Sequence, residues 1–201
     1  MNLSDEGTTL EHPQWFIWEG VIPKDVCEAW VALAQDVPHQ EARTFRTGED
    51  ENADGTDNYG DRKTQIRWLA NEGEFQGLHT TLWNYGLEAN KYFKTLITEL
   101  PPVQYTEYNE VGSHYGQHHD IDWNRQDGKH RKISITIQLS DPDDYEGGDF
   151  TFAHHQNPDP VACRKQGTIL VFLSYQEHSV SPITSGERNS MVAWFEGPCW
   201  R

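Results

Sequence analysis

The sequence predicts an α+β fold, mainly β, with N-terminal helices packed on a β-core. Three observations carry this. Helical spacing of apolar residues is confined to the first hundred positions. After Pro101 and Pro102, short segments rich in β-branched and aromatic residues alternate with Asp, Gly, Pro and Asn turns. Within one of them, Ile133, Ile135, Ile137 and Leu139 alternate with Ser134, Thr136 and Gln138, a period of two.

Taken in order, residues 1–14 read as a frayed end, and Trp15 to Ile22 as a strand and turn. Pro23 stands where a helix can begin, and Val26, Ala29, Trp30 and Leu33 recur at helical spacing. A second helix is expected from about Phe75 to Phe93, through Phe75, Leu78, Leu82, Tyr85, Ala89 and Tyr92. Gly77 and Gly86 weaken it by roughly 1 kcal/mol each against alanine. Strands are then expected at Val103–Tyr108, Lys132–Leu139, Asp149–Ala153, Thr168–Leu173, Val180–Pro182 and Met191–Phe195. No repeat or linker divides the chain. A single domain is expected over 1–201, with a helical and lid part at about 15–100 and a β-core at about 101–200.

Composition excludes several functions. Acids outnumber bases 32 to 16, a formal charge of −16, which argues against nucleic acid or an anionic membrane as partner. Apolar runs such as Ile169–Leu173 are too short to span a bilayer, and Met1–Gly7 is acidic and polar, unlike a signal peptide, so a cytoplasmic protein is expected. Cys27, Cys163 and Cys199 are odd in number and far apart, which excludes a CxxC zinc site or a disulfide framework.

The chemistry concentrates between Tyr108 and Trp194. His118 and Asp120 form an H-x-D pair, and on a strand residues i and i+2 share a face. His178 follows 60 residues later. Two histidines and a carboxylate on one face of a metal are the ligand set of non-haem Fe(II) oxygenases, with further positions left open. An H-x-D pair alone is weak evidence in a chain with ten histidines. Arg188, ten residues beyond His178 across a turn at Gly186, strengthens it. If adjacent strands flank that turn, its guanidinium reaches the same cavity and can clamp a carboxylate bidentately. His119 is expected to face away from the ligands. His114, His154 and His155 read as exposed or structural histidines, and Cys163 and Cys199 as small bystanders.

These residues make the resemblance specific. The chain resembles the iron(II)/2-oxoglutarate dioxygenases of the prolyl 4-hydroxylase type, in particular their bacterial and phage-like members. Tyr108, Gly112, Tyr115, His118, Asp120, His178, Val180, Pro182, Gly186, Arg188 and Trp194 fall in the family's order and spacing. The stretch RKISITIQLSDPDDYEGGDFTF is similar to the segment between the family's ligands, and the chain ends in the W-F-x-G-P of Trp194–Pro198. The resemblance implies a double-stranded β-helix, or jelly roll. It implies Fe(II) on His118, Asp120 and His178, and 2-oxoglutarate on Arg188 with Tyr108 as hydroxyl partner. It places Gln138 where some relatives use a tyrosine on 2-oxoglutarate, a departure at a contact the glutamine amide could still make as donor. Tyr115, Val180 and Trp194 become pocket wall. It further implies dioxygen as co-substrate, ascorbate as helper, and a prolyl or other residue of a peptide or protein as substrate, with succinate and carbon dioxide produced. Rival readings are a hydroxylase of a free amino acid or small metabolite, a Zn- or Mn-dependent cupin-like enzyme on the same triad, and a binding module without catalysis.

Two acidic segments remain. Residues 47–61 hold six acids, three glycines and one large apolar residue, Tyr59. Asp50, Asn52, Asp54, Gly55 and Asp61 fall in the register of an EF-hand loop, but Asp57 occupies its apolar position and no helical pattern precedes it. A lid over the cavity, as the family often has here, is the other reading. As such it would favour a neutral or basic peptide. Leu139 to Asp149 reads as a solvated acidic hairpin.

Overall fold

A computed structural model of the chain describes residues 13–42 and 62–200. The acidic segment 47–61, with its EF-hand register and its reading as a lid, lies outside the described residues, as does most of the N-terminal end.

The chain opens with β1 (Trp15–Trp18), α1 (Lys24–Gln35), β2 (Gln40–Glu41), β3 (Arg62–Lys63), β4 (Gln65–Leu69) and α2 (Gln76–Phe93). The remainder is β5 (Val103–Tyr108), β6 (His114–His118), β7 (Lys129–Gln138), β8 (Tyr145–Gly147), β9 (Phe150–Phe152), α3 (Pro160–Arg164), β10 (Ile169–Leu173), β11 (His178–Val180), β12 (Ile183–Gly186) and β13 (Arg188–Pro198). A seven-stranded sheet has the order β1-β10-β7-β13-β5-β4-β2. A four-stranded sheet has the order β3-β6-β11-β9, and β12 pairs with β8. Every pairing is antiparallel. This is the jelly-roll arrangement, with few helices.

Helix α1 starts where Pro23 fixes the chain, its carbonyl accepting from Cys27 N at 3.0 Å. It turns Cys27, Trp30 and Ala34 onto the large sheet. Helix α2 adds Leu78, Leu82 and Ala89 to the same core, against Ile133, Ile135, Ile137, Val171, Ala193 and Phe195. It ends at Lys94, a left-handed residue at φ 54, where the Asn90 side chain takes the Thr95 N–H at 2.9 Å. Gly86 is no mere weakness in this helix. A Cβ there would lie 2.1 Å from Phe195 Cζ, so its absence lets the ring of β13 seat under the helix.

The strands agree with the sequence where the pattern is long. β7 begins three residues earlier than Lys132, and β13 extends both ways from Met191–Phe195. The polar positions of β7 do not face water. Ser134 and Gln138 are buried, and Thr136 lines a cleft between the two sheets. Among the described residues, no helix is long and apolar enough to cross a membrane.

Candidate metal and co-substrate site

The site lies where the small sheet faces the large one. Strands β6 and β11 are antiparallel neighbours, and their register sets His118 directly across from His178. Asp120 is not on the strand, because β6 ends at His118. It is brought back instead by its N–H, which donates to Ser174 O at 2.9 Å. His118 Nε2 then lies 3.6 Å from Asp120 Oδ1, and His178 Nε2 lies 3.7 Å from Asp120 Oδ2. All three residues are buried, and their ligand atoms lie within 4.8 Å of one another.

Both imidazoles are oriented by the same local device. Nδ1 of His118 donates to Gly116 O at 2.8 Å, and Nδ1 of His178 donates to Gln176 O at 2.9 Å. Each proton is thus held on Nδ1, and Nε2 is left as a lone pair toward Asp120. Rings fix their planes. Tyr115 stacks on His118 with centroids 3.4 Å apart, Phe150 stacks on His178 at 5.3 Å, and Phe172 meets His178 edge-on at 4.8 Å. Ser134 Oγ donates to Asp120 Oδ2 at 2.6 Å and is itself paired with Ser174 Oγ at 2.9 Å.

Charge states follow from these neighbours. Burial opposes ionisation of Asp120, but the neighbouring His178 and His118 rings and Arg131 outweigh it. They hold its carboxyl well below the usual carboxylate range. Burial, with the neighbouring His118, pushes His178 down to about 4. An anionic oxygen beside a neutral imidazole is what a divalent cation requires, so the donor set fits a metal of the Fe(II) type.

Arg188 opens β13, in register with Tyr108 on β5. The strands flanking its turn are not adjacent: β12 pairs with β8, whereas β13 lies in the large sheet. The guanidinium nevertheless reaches the cleft, which is also lined by His118, His178 and Tyr108. Arg188 is 6% exposed, its Nη1 has no hydrogen-bond partner, and it makes no salt bridge among the described residues. Tyr108 presents its ring to that guanidinium at 5.1 Å. Tyr115, Val180 and Trp194 line the same cleft. Trp194 carries Arg131 over its ring at 3.8 Å. Gln138 lies one compartment further, its amide N–H groups given to Ser140 O and Tyr145 Oη, both at 3.1 Å.

His119 stands outside the ligand group and packs edge-on to Trp123. His154 pairs with Glu177 at the surface. Sequence reasoning did not single out Ser134 and Ser174, the supports of Asp120, nor Tyr145. Ser134 was visible only as one polar step in the β7 alternation.

A profile of the 2OG-Fe(II) oxygenase superfamily matches residues 103–196, which contain every one of these cleft residues. A PKHD-type hydroxylase from Polaromonas sp. is 30% identical over 155 residues, covering 72% of this chain and 67% of its own. The chain belongs to the 2OG-Fe(II) oxygenase superfamily. By family it is a 2-oxoglutarate-dependent dioxygenase, and the family implies Fe(II), 2-oxoglutarate and dioxygen. A PKHD-type hydroxylase from Synechococcus sp. is 40% identical over 88 residues, but there the match spans 44% of this chain and 38% of the relative. The crystal structure of a viral collagen prolyl hydroxylase from Paramecium Bursaria Chlorella virus-1 shares the fold, with a TM-score of 0.67 over 94% of this chain and 99% of that one, at 15% identity.

Proposed function

We propose that this oxygenase hydroxylates a prolyl or other side chain within a peptide or protein, using 2-oxoglutarate held between the His118–Asp120–His178 group and Arg188. The observation that carries the reading is the buried guanidinium of Arg188, which makes no ion pair among the described residues, in the cleft that His118 and His178 also line. A buried charge without a partner is costly, and a diacid supplies the partner while its oxo-acid end reaches the metal position. Such an arginine argues against a cupin-like Zn or Mn enzyme, and metal content with 2-oxoglutarate turnover discriminates the two.

With Fe(II) and 2-oxoglutarate bound, the group supplies oxidation of a substrate C–H bond by dioxygen, with succinate and carbon dioxide as co-products. The chain's own part is placement. His118 and His178 offer Nε2 because their Nδ1 protons are tied to carbonyls. Asp120 stays anionic and is aimed by Ser134. Tyr115, Phe150 and Phe172 wall off water around the imidazoles. Tyr108 faces Arg188 and Trp194 closes the cleft on the large-sheet side. The named relatives, PKHD-type hydroxylases and a collagen prolyl hydroxylase, support a polypeptide substrate. Arg62 lines the cleft and follows the acidic segment 47–61 in sequence, and the charge of that segment favours a neutral or basic peptide over an acidic one. Ascorbate is the expected reductant for iron oxidised in unproductive turnovers.

The test is succinate release with Fe(II) and 2-oxoglutarate across a panel of proline-containing peptides and free amino acids, with substrate mass as second readout. A mass gain of one oxygen on a neutral or basic peptide is expected. Alanine at His118, Asp120 or His178 should abolish both succinate and bound iron. Arg188→Ala should weaken use of 2-oxoglutarate by about 2–5 kcal/mol, with Arg188→Lys recovering part. Full activity in any triad variant, or a free amino acid as the much better substrate, overturns the corresponding part.

A further inference from the structure

Among the described residues, the buried lysine and arginine side chains are Arg67, Lys132 and Arg188. Arg67 is paired with Glu107, and Arg188 lines the cleft. Lys132 does neither. It is 4% exposed, lies outside the cleft lining, and its Nζ makes no hydrogen bond or ion pair among the described residues. Its place on β7 is irregular. From Phe195 opposite Ile133, β13 steps to Glu196 opposite Arg131, so Lys132 is the extra residue of a β-bulge. A bulge re-aims a side chain out of the ladder's alternation.

The ammonium rests on the face of Trp200, 3.9 Å from the ring centre. Burial pushes it down from the ordinary lysine range, and no carboxylate opposes this, only the Cys199 thiol. In a chain with 32 acids, a buried ammonium left without one is costly. The same indole carries a second unused donor: Trp200 Nε1 is buried with no hydrogen-bond partner. The residue is held in place, its backbone N–H donating to His130 Nδ1 at 3.2 Å and its ring meeting Tyr175 edge-on at 6.0 Å. The indole therefore presents a cation on its face and an N–H on its edge, one ring apart. Tyr175, 44% exposed, brings the pair to the surface.

We propose that Lys132 Nζ and Trp200 Nε1 form a second anion site, outside the co-substrate cleft, that takes a carboxylate. One charge and two donors match a monoanion with two acceptor oxygens, one to the ammonium and one to the indole N–H. The carboxylate is borne either by the substrate polypeptide or by a small free acid. The site borders the metal position, because Ser174 donates its N–H to Lys132 O at 3.1 Å and accepts the Asp120 N–H on its own carbonyl.

The test reads the indole directly. Zn(II)-loaded protein with one equivalent of 2-oxoglutarate is titrated with sodium acetate, and with sodium chloride at equal ionic strength, while the tryptophan indole N–H signals are followed by NMR. Trp200→Phe assigns the signal of Trp200. A saturating shift of that signal with acetate and not with chloride is expected. Lys132→Met, which keeps the buried stem without the charge, should weaken acetate at least tenfold, the loss of a hydrogen bond to a charged group. Lys132→Arg should retain part. No acetate-specific shift in the unsubstituted protein overturns the proposal before any variant at Lys132 is made, and an undiminished shift in Lys132→Met overturns it as well. Neither result depends on which substrate the enzyme hydroxylates. Turnover then separates the two sources, with basic peptides that differ only as Glu against Gln at one position. A lower KM for the Glu member, lost in Lys132→Met with kcat unchanged, assigns the site to the substrate, and equal KM values assign it to a free acid.

Discussion

On one face of β7, Ile133, Ile135 and Ile137 are sealed against the helices. On the other, Ser134 and Gln138 are buried almost as deeply and look into the space between the sheets. Burial does not separate these two regions. What separates them is unsatisfied bonding capacity. The apolar face has no polar group to satisfy, whereas around the cleft Arg188 Nη1, Gln138 Oε1 and Trp194 Nε1 are buried with no hydrogen-bond partner. A buried polar group left unpaired costs about 1–3 kcal/mol. Such atoms occur elsewhere among the described residues, at His79 and Trp200 for example, but two of them, Arg188 Nη1 and Trp194 Nε1, line the cleft itself and mark it as a surface shaped for something other than the protein.

The sharpest way to break this contrast is to cut each face once. Ile135→Ala should destabilise the protein by about 2–5 kcal/mol through the cavity it leaves. Iron bound per folded molecule should not change. Urea unfolding and metal analysis on the same sample check both halves, and lost metal in the folded fraction would erase the distinction between the faces.

Acid titration probes the other face. The folded pKa of His178, about 4, lies below the ordinary 6.5. Above pH 6.5 neither state is protonated there, and stability is full. As pH falls from 6.5 toward 4 the unfolded chain takes up the proton and the folded chain does not, so stability is lost, by up to about 3 kcal/mol. Asp120, held low, continues the loss below the ordinary carboxylate value. Chelator-treated protein should therefore show a urea midpoint that declines across pH 6.5–4, and His178→Gln should flatten that decline. A flat profile in the unsubstituted protein would contradict the buried neutral imidazole.

The smallest effect expected is that of Ser134→Ala. It removes the hydrogen bond to Asp120 Oδ2 and should lower metal affinity about 10–100-fold with little change in stability. Competition with a chelator measures it.

Sequence alone exposed the features that repeat or that stand at fixed spacing. The helices were legible from Val26 to Leu33 and from Phe75 to Tyr92, the β7 alternation from Ile133 to Leu139, and the ligand set from H-x-D and the ten-residue step to Arg188. Strands of two or three residues were not, because β2, β3 and β8 are too short to show a period. Asp120 reaches its place through a backbone bond to Ser174, a tertiary contact no local pattern encodes. Gly86 read as a flaw because its reason, the ring of Phe195, lies 109 residues away (195 − 86). Tyr145 was hidden within an acidic turn that read as solvated.

The β6–β11 ladder carries one further consequence. It joins His118 to His178 across 60 residues (178 − 118), yet its register comprises only two pairs, His178 with His118 and Val180 with Tyr115. So short a seam closes a long loop with little bonding of its own, and it holds because β7 and β10, which lie within that loop, are already zipped into the large sheet. A cation gripped from both sides therefore acts as a rivet set last. Its binding free energy is added to this short seam, so metal loading reports that the two strands have closed on each other.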